Sequence, residues 1–131
     1  MNRSIFLLFV ILIAGLFAPA YAQTISEHVI INEVDTNPYG DDSKSISEWV
    51  ELFNPTSSDV DISGWQIAST TVLQKTLTLP NDTIISSGDY LTFVYDKIWF
   101  TDTAESVELK NTTGLVIDKT REIYDLDNDS K

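Results

Sequence analysis

The 131-residue chain contains no cysteine and a single histidine, His28. Without cysteine no disulfide can hold the fold together, and one imidazole alone is too little for a tetrahedral zinc centre of the usual kind. A lone histidine also leaves little for a Ser–His–Asp or Cys–His arrangement, and no serine or cysteine stands in a nucleophile motif. His28 reads instead as a partly exposed residue at the start of a strand. Neither a G-x-G-x-x-G nor a Walker sequence occurs, so no loop is built to cradle phosphates. Basic residues are scarce as well: eight Lys and Arg stand against twenty Asp and Glu, a formal charge of −12. A field of that sign repels nucleic acid and anionic membrane surfaces, and it suits cationic partners or divalent ions.

Helical periodicity is missing too. No window of helical length repeats its apolar residues every 3.6 positions. Short β-branched and aromatic runs fall instead at residues 28–34, 48–53, 60–69, 75–79, 83–85, 90–95, 105–110 and 115–119, separated by Asn-Pro, Ser-Gly and Gly-Asp. Seven or eight strands with turn signals every eight to twelve residues predict an all-β, antiparallel sandwich or barrel. In residues 48–53 the alternation puts Val50 and Leu52 on one side and Trp49, Glu51 and Phe53 on the other.

The one long apolar run comes at the beginning. Arg3 and the free amino group precede an almost wholly apolar stretch from Ile5 to Phe17, and Ala20-Tyr21-Ala22 follows. Charged start, short apolar middle and A-x-A end predict a secretory signal peptide over residues 1–22, cleaved after Ala22, and a secreted or cell-surface location. The run falls short of the ~20 residues that span a bilayer, and Pro19 interrupts it, which argues against an uncleaved anchor. A membrane is therefore expected as a partner only through that segment or through a missing anchor. Residues 23–131 then hold seven basic and twenty acidic residues, −13, and suffice for one small domain with one core. Residues 23–27 form a polar leader, 28–120 the sandwich and 121–131 an acidic tail.

Carboxylates are the main chemical resource. Glu33, Glu48 and Glu51 could pair for acid–base work, as two carboxylates do in glycosidases. The plainer reading is that they brace loops or face water, and no catalytic residue is assigned. Asp125, Asp127 and Asp129 form D-x-D-x-D, a spacing that turns alternate oxygens toward one hard cation such as Ca²⁺. Ser130 stands where a calcium loop wants Gly, so a solvated acidic tail is the preferred reading. Asp35, Asp41 and Asp42, and then Asp59 and Asp61, are further loop carboxylates with the same two readings. No other cofactor is implied. Asn81, Asn111 and Asn128 head N-x-[ST] sequons in expected loops and are candidate glycan acceptors.

In order, "VIINEVDTNP", "SEWVELFNP", "VDISGWQIAS" and "SSGDYLTFV" resemble the lamin-tail domain family, with the hairpin from Leu109 to Asp118 completing the likeness. It spans about residues 29–119. The resemblance implies an immunoglobulin-like β-sandwich with Val50, Leu52, Ile62, Trp65 and Ile67 in the core. It implies structural roles for Asn32, Glu33 and Asn54, and the residue reading adds Glu51 to these polar braces. The sequence departs from the common pattern near residues 101–104, and the family runs on past "YDLDNDSK", so the chain reads as a fragment whose last strand is missing. Such an exposed edge would favour self-association.

In exported microbial proteins the family implies an accessory module. The expectation is a non-catalytic, exported interaction or structural unit that binds protein or cell-surface polymer through its loops. The alternatives are an accessory domain of a larger secreted hydrolase or nuclease, or a calcium-binding envelope component. The related domain of nuclear lamins contacts proteins and DNA, but the charge here opposes nucleic acid. Tyr39, Trp99 and Phe100 are the candidate contact residues, with the rival reading that Trp99 and Phe100 fold back over the core.

Overall fold

β-Branched and aromatic side chains fit a pleated surface, and from residue 28 on the chain uses them in short stretches that suit strands. A computed structural model describes residues 26–38, 47–71, 73–95 and 98–124. Among them run nine strands: β1 (Ile30–Asp35), β2 (Trp49–Phe53), β3 (Val60–Asp61), β4 (Gln66–Ser69), β5 (Thr76–Thr78), β6 (Ile84–Ile85), β7 (Tyr90–Val94), β8 (Val107–Lys110) and β9 (Val116–Lys119). All pairings are antiparallel. One sheet has the order β1-β2-β7, a second β5-β4-β8-β9, and β3 and β6 form a two-stranded ribbon. Inward residues of the two larger sheets and of the ribbon meet in one core: Val50 and Leu52, Ile67 with Val107 and Leu109, and Ile62 with Ile85. This is the β-sandwich the strand pattern predicts.

One expected strand proves to be two. The run 60–69 divides into β3 and β4, which belong to different sheets. The break is a turn at Ser63-Gly64, where Gly64 takes φ 69° and the Trp65 N–H bonds back to the Ile62 carbonyl at 3.1 Å. Asp61 Oδ1 accepts from the Ser63 N–H at 2.9 Å and fixes the turn's entry. Hydrogen bonding from Ser63, first from its side chain and then from its backbone, holds the Asp61 carboxyl below its ordinary pKa. The Cβ of any larger residue at Gly64 would sit 3.4 Å from Thr112 Cγ2. A chain that must leave one layer for the other needs a sharp, left-handed corner, and glycine supplies it without a steric penalty.

The expected core holds with one adjustment. Val50, Leu52, Ile62 and Ile67 are buried, whereas Trp65 is only partly buried and packs against the core from its margin. A ring placed directly after a corner has protein on one side only. The two sheets also touch along one edge, where the Ile31 N–H of β1 donates to Asp118 Oδ2 of β9 at 2.7 Å. β1 carries a bulge between Ile31 and Glu33, so its pairing with β2 shifts at Asn32. Beyond β9 the chain returns alongside residue 105, through paired Glu105 and Ile123 backbone bonds of 3.2 and 2.7 Å.

Candidate functional site

Several polar groups inside the sandwich hold loops. Asn54, fully buried just after β2, donates through Nδ2 to the Ser58 and Ile85 carbonyls at 2.8 and 2.9 Å. Its Oδ1 accepts from the Thr56 N–H and hydroxyl at 3.0 and 2.7 Å. Its backbone N–H donates to Asp89 O and its carbonyl accepts from Gly88 N–H. One amide thereby ties the β2–β3 loop to the turn before β7. Asn32, from the bulge, donates through Nδ2 to Glu51 Oε1 at 2.8 Å. Glu33 is exposed and stands opposite Glu51 across the β1–β2 pair. Asp59 Oδ1 accepts from Ser87 N–H at 3.0 Å, so both Asp59 and Asp61 hold turns.

Among the described residues two carboxylates are fully buried: Glu48, which braces a loop as the plainer reading of the sequence has it, and Glu105, which goes beyond what sequence reading finds. Glu48 accepts from the backbone N–H groups of Trp99 and Phe100, the latter at 2.6 Å. Glu105 receives six donors: the Ser69, Thr71 and Thr101 hydroxyls at 3.0, 2.9 and 3.4 Å, and the Thr70, Thr101 and Ser106 N–H groups at 3.3, 3.1 and 2.8 Å. A carboxylate has about four lone-pair sites, so Glu105 is saturated. Nothing local marks either residue as buried, because the donors lie on segments distant in sequence. The pair Ser69 and Thr71 on one strand end and Glu105 on another become neighbours only when β4 and β8 pair.

The contact reading of Trp99 and Phe100 is corrected here. Trp99 is 0 % exposed and Phe100 1 %. Their rings stack on one another at 4.4 Å, and Trp99 stacks on Tyr95 at 5.2 Å. The Glu48 clamp on their N–H groups draws the segment inward, so both rings close the end of the core. Tyr39, Asp125, Asp127, Asp129 and Asn128 lie outside the described residues. Among those described, no three His, Asp or Glu side chains converge as a metal site. Asn81 is exposed in a turn. Asn111 has its Oδ1 engaged by Thr113 N–H and hydroxyl and by Leu115 N–H, at 3.0, 2.7 and 3.0 Å, and so shapes the β8–β9 hairpin.

The outer face of the β1-β2-β7 sheet has a different character. The register sets three rows across it: Ile30, Phe53 and Tyr90; Glu33, Glu51 and Thr92; Asp35, Trp49 and Val94. Tyr90 is 51 % and Val94 57 % exposed, and the Phe53 and Tyr90 rings stack at 4.5 Å. Sequence alternation places Trp49, Glu51 and Phe53 on one side of β2. Only the strand register shows that Tyr90 and Val94 extend their row.

Two antiparallel sheets sharing one core, with Asn54, Glu48 and Glu105 inside it bracing loops, define an immunoglobulin-like module. The chain belongs to the Lamin Tail Domain family, whose model matches residues 22–124. No curated protein matches the chain.

Proposed function

We propose that the chain is a non-catalytic interaction module of an exported or cell-surface protein, which contacts protein or surface polymer through the outer face of the β1-β2-β7 sheet. The observation that carries this reading is the stack of exposed Tyr90 on half-buried Phe53, continued by Val94 and the partly exposed Trp49 on one face. Single exposed apolar residues are ordinary, but rings grouped on one sheet face are the usual anchors of a contact surface. The signal-like segment 1–22 supports export.

The test compares the chain with a Tyr90→Ser, Val94→Ser variant on isolated envelope material of the producing cell, separated into protein and polysaccharide fractions. Val94 is largely exposed and Tyr90 gives up only its stack on Phe53, so the variant should stay folded with a stability loss of about 1 kcal/mol. Its retention on the fraction that binds should fall by about fivefold, the loss of roughly 1 kcal/mol of contact. Equal retention of the two proteins would sink the proposal.

A further inference from the structure

The three strands under this face contain no Lys and no Arg: they read IINEVD, WVELF and YLTFV. Their carboxylates all point outward. Glu33 and Glu51 stand opposite each other in the middle row, and Asp35 joins Trp49 in the third. Asn32 steadies Glu51 through its 2.8 Å bond. The four-stranded sheet is built otherwise, since Lys110 of β8 and Lys119 of β9 each lie 2.9 Å from Glu108 there. The strands of one sheet thus pair acid with base while those of the other set acid beside rings, with Arg121 sharing a hollow with Glu33 only at the β1 edge.

Resting on the reading of this face as the contact surface, we infer that its partner is an extended polypeptide segment carrying Arg or Lys at alternate positions. Outward side chains on β2 recur every second residue, about 7 Å apart, and so do those of an extended peptide laid along it. Trp49, Glu51 and Phe53 therefore meet successive same-side residues of such a peptide. A guanidinium over the Phe53–Tyr90 stack gains cation–π attraction while remaining partly hydrated. A second cation in the middle row reaches Glu33 and Glu51. An uncharged glycan could lie on the rings but leaves those carboxylates uncompensated, and an anionic polymer is repelled by them.

The experiment titrates the full chain with a synthetic alternating Thr–Arg decapeptide and follows backbone amide resonances. A Thr–Glu decapeptide and a chitin oligosaccharide serve as comparison probes. Saturable shifts confined to 49–53 and 90–94, absent from 107–110, are expected with the Thr–Arg peptide. Tyr90→Ser and Glu51→Gln should each weaken its binding by about fivefold, and added salt should weaken it further. Equal or tighter binding of the chitin oligosaccharide or the Thr–Glu peptide at the same amides would overturn the cationic partner while leaving the face as a contact surface. Thr–Arg shifts scattered over acidic residues elsewhere and indifferent to Tyr90→Ser would overturn both readings. Self-association through this face against Lys110 and Lys119, seen by sedimentation, would replace the peptide by a second copy of the chain.

Discussion

Asn54 and Glu105 show how much of this fold rests on single polar side chains. Each is fully buried and each bonds groups from separate loops. Removing such a partner leaves buried donors without acceptors, and that desolvation penalty exceeds the ordinary value of one hydrogen bond. Glu105→Ala is expected to lower unfolding stability by about 3 kcal/mol and Asn54→Ala by about 2 kcal/mol, read as shifted denaturant midpoints at constant slope. A loss below about 0.5 kcal/mol, the range of ordinary surface changes, would show that neither brace matters.

Glu108 behaves differently, because it lies near the surface between Lys110 and Lys119. Hydrogen bonds from Lys110 and then Lys119 hold its pKa below the ordinary 4.5. A depressed carboxyl contributes stability above its unfolded pKa and loses it as pH falls through the folded value. The stability difference between the chain and Glu108→Gln should therefore be constant at neutral pH, under about 1 kcal/mol for so exposed a pair, and vanish in acid. A difference that grew on acidification would contradict the assignment.

At the scale of elements, two turns with glycine carry unequal loads. Gly64 and Gly114 both have positive φ, 69° and 82°. An added Cβ at Gly114 meets nothing within 4 Å, whereas at Gly64 it meets Thr112. Gly114→Ala should lose only the backbone penalty of a left-handed residue, about 1 kcal/mol. Gly64→Ala adds a 3.4 Å approach to Thr112 Cγ2 at the corner where the chain changes sheets, so its thermal midpoint should fall further than that of Gly114→Ala. The reverse order would mean that the hairpin, not the corner, sets stability. That corner was only half legible: the Gly kink stands out in "VDISGWQIAS", but a kinked strand and two strands in different sheets share one local pattern. Which it is depends on Ile62 N–H finding Thr83 O at 2.9 Å and Leu79 N–H finding Trp65 O at 2.8 Å.

For the molecule as a whole, the proposed location makes a simple demand on the N-terminus. Export of the full chain should yield a protein beginning at Gln23, as read by N-terminal sequencing or intact mass, because Ala20 and Ala22 present the small residues a signal peptidase accepts. Recovery of Met1 on the exported protein would instead mean retention of the apolar segment. The distribution of charge follows from packing at the same scale. Among the described residues, the strands β1, β2 and β7 carry Glu33, Asp35 and Glu51 and no base, whereas Lys110 and Lys119 of the other sheet flank Glu108.

Sequence alone determined the class of fold, because strand alternation and turn residues are local: Val50 and Leu52 had to share one face whatever they packed against. It also marked Asn54 as a brace through the likeness of "SEWVELFNP". What it did not reach were the groups whose meaning depends on remote partners. The rings of Trp99 and Phe100 fit surface anchors and core plugs equally well in the sequence, and only the bonds of their backbone N–H groups to Glu48, some fifty residues earlier, fix them as core. Tyr90 looks like an unremarkable strand residue until β7 sets it opposite Phe53. Tertiary structure decided which aromatics are buried and which are offered, since burial is a property of neighbours brought together by pairing, and a sequence lists neighbours only along the chain.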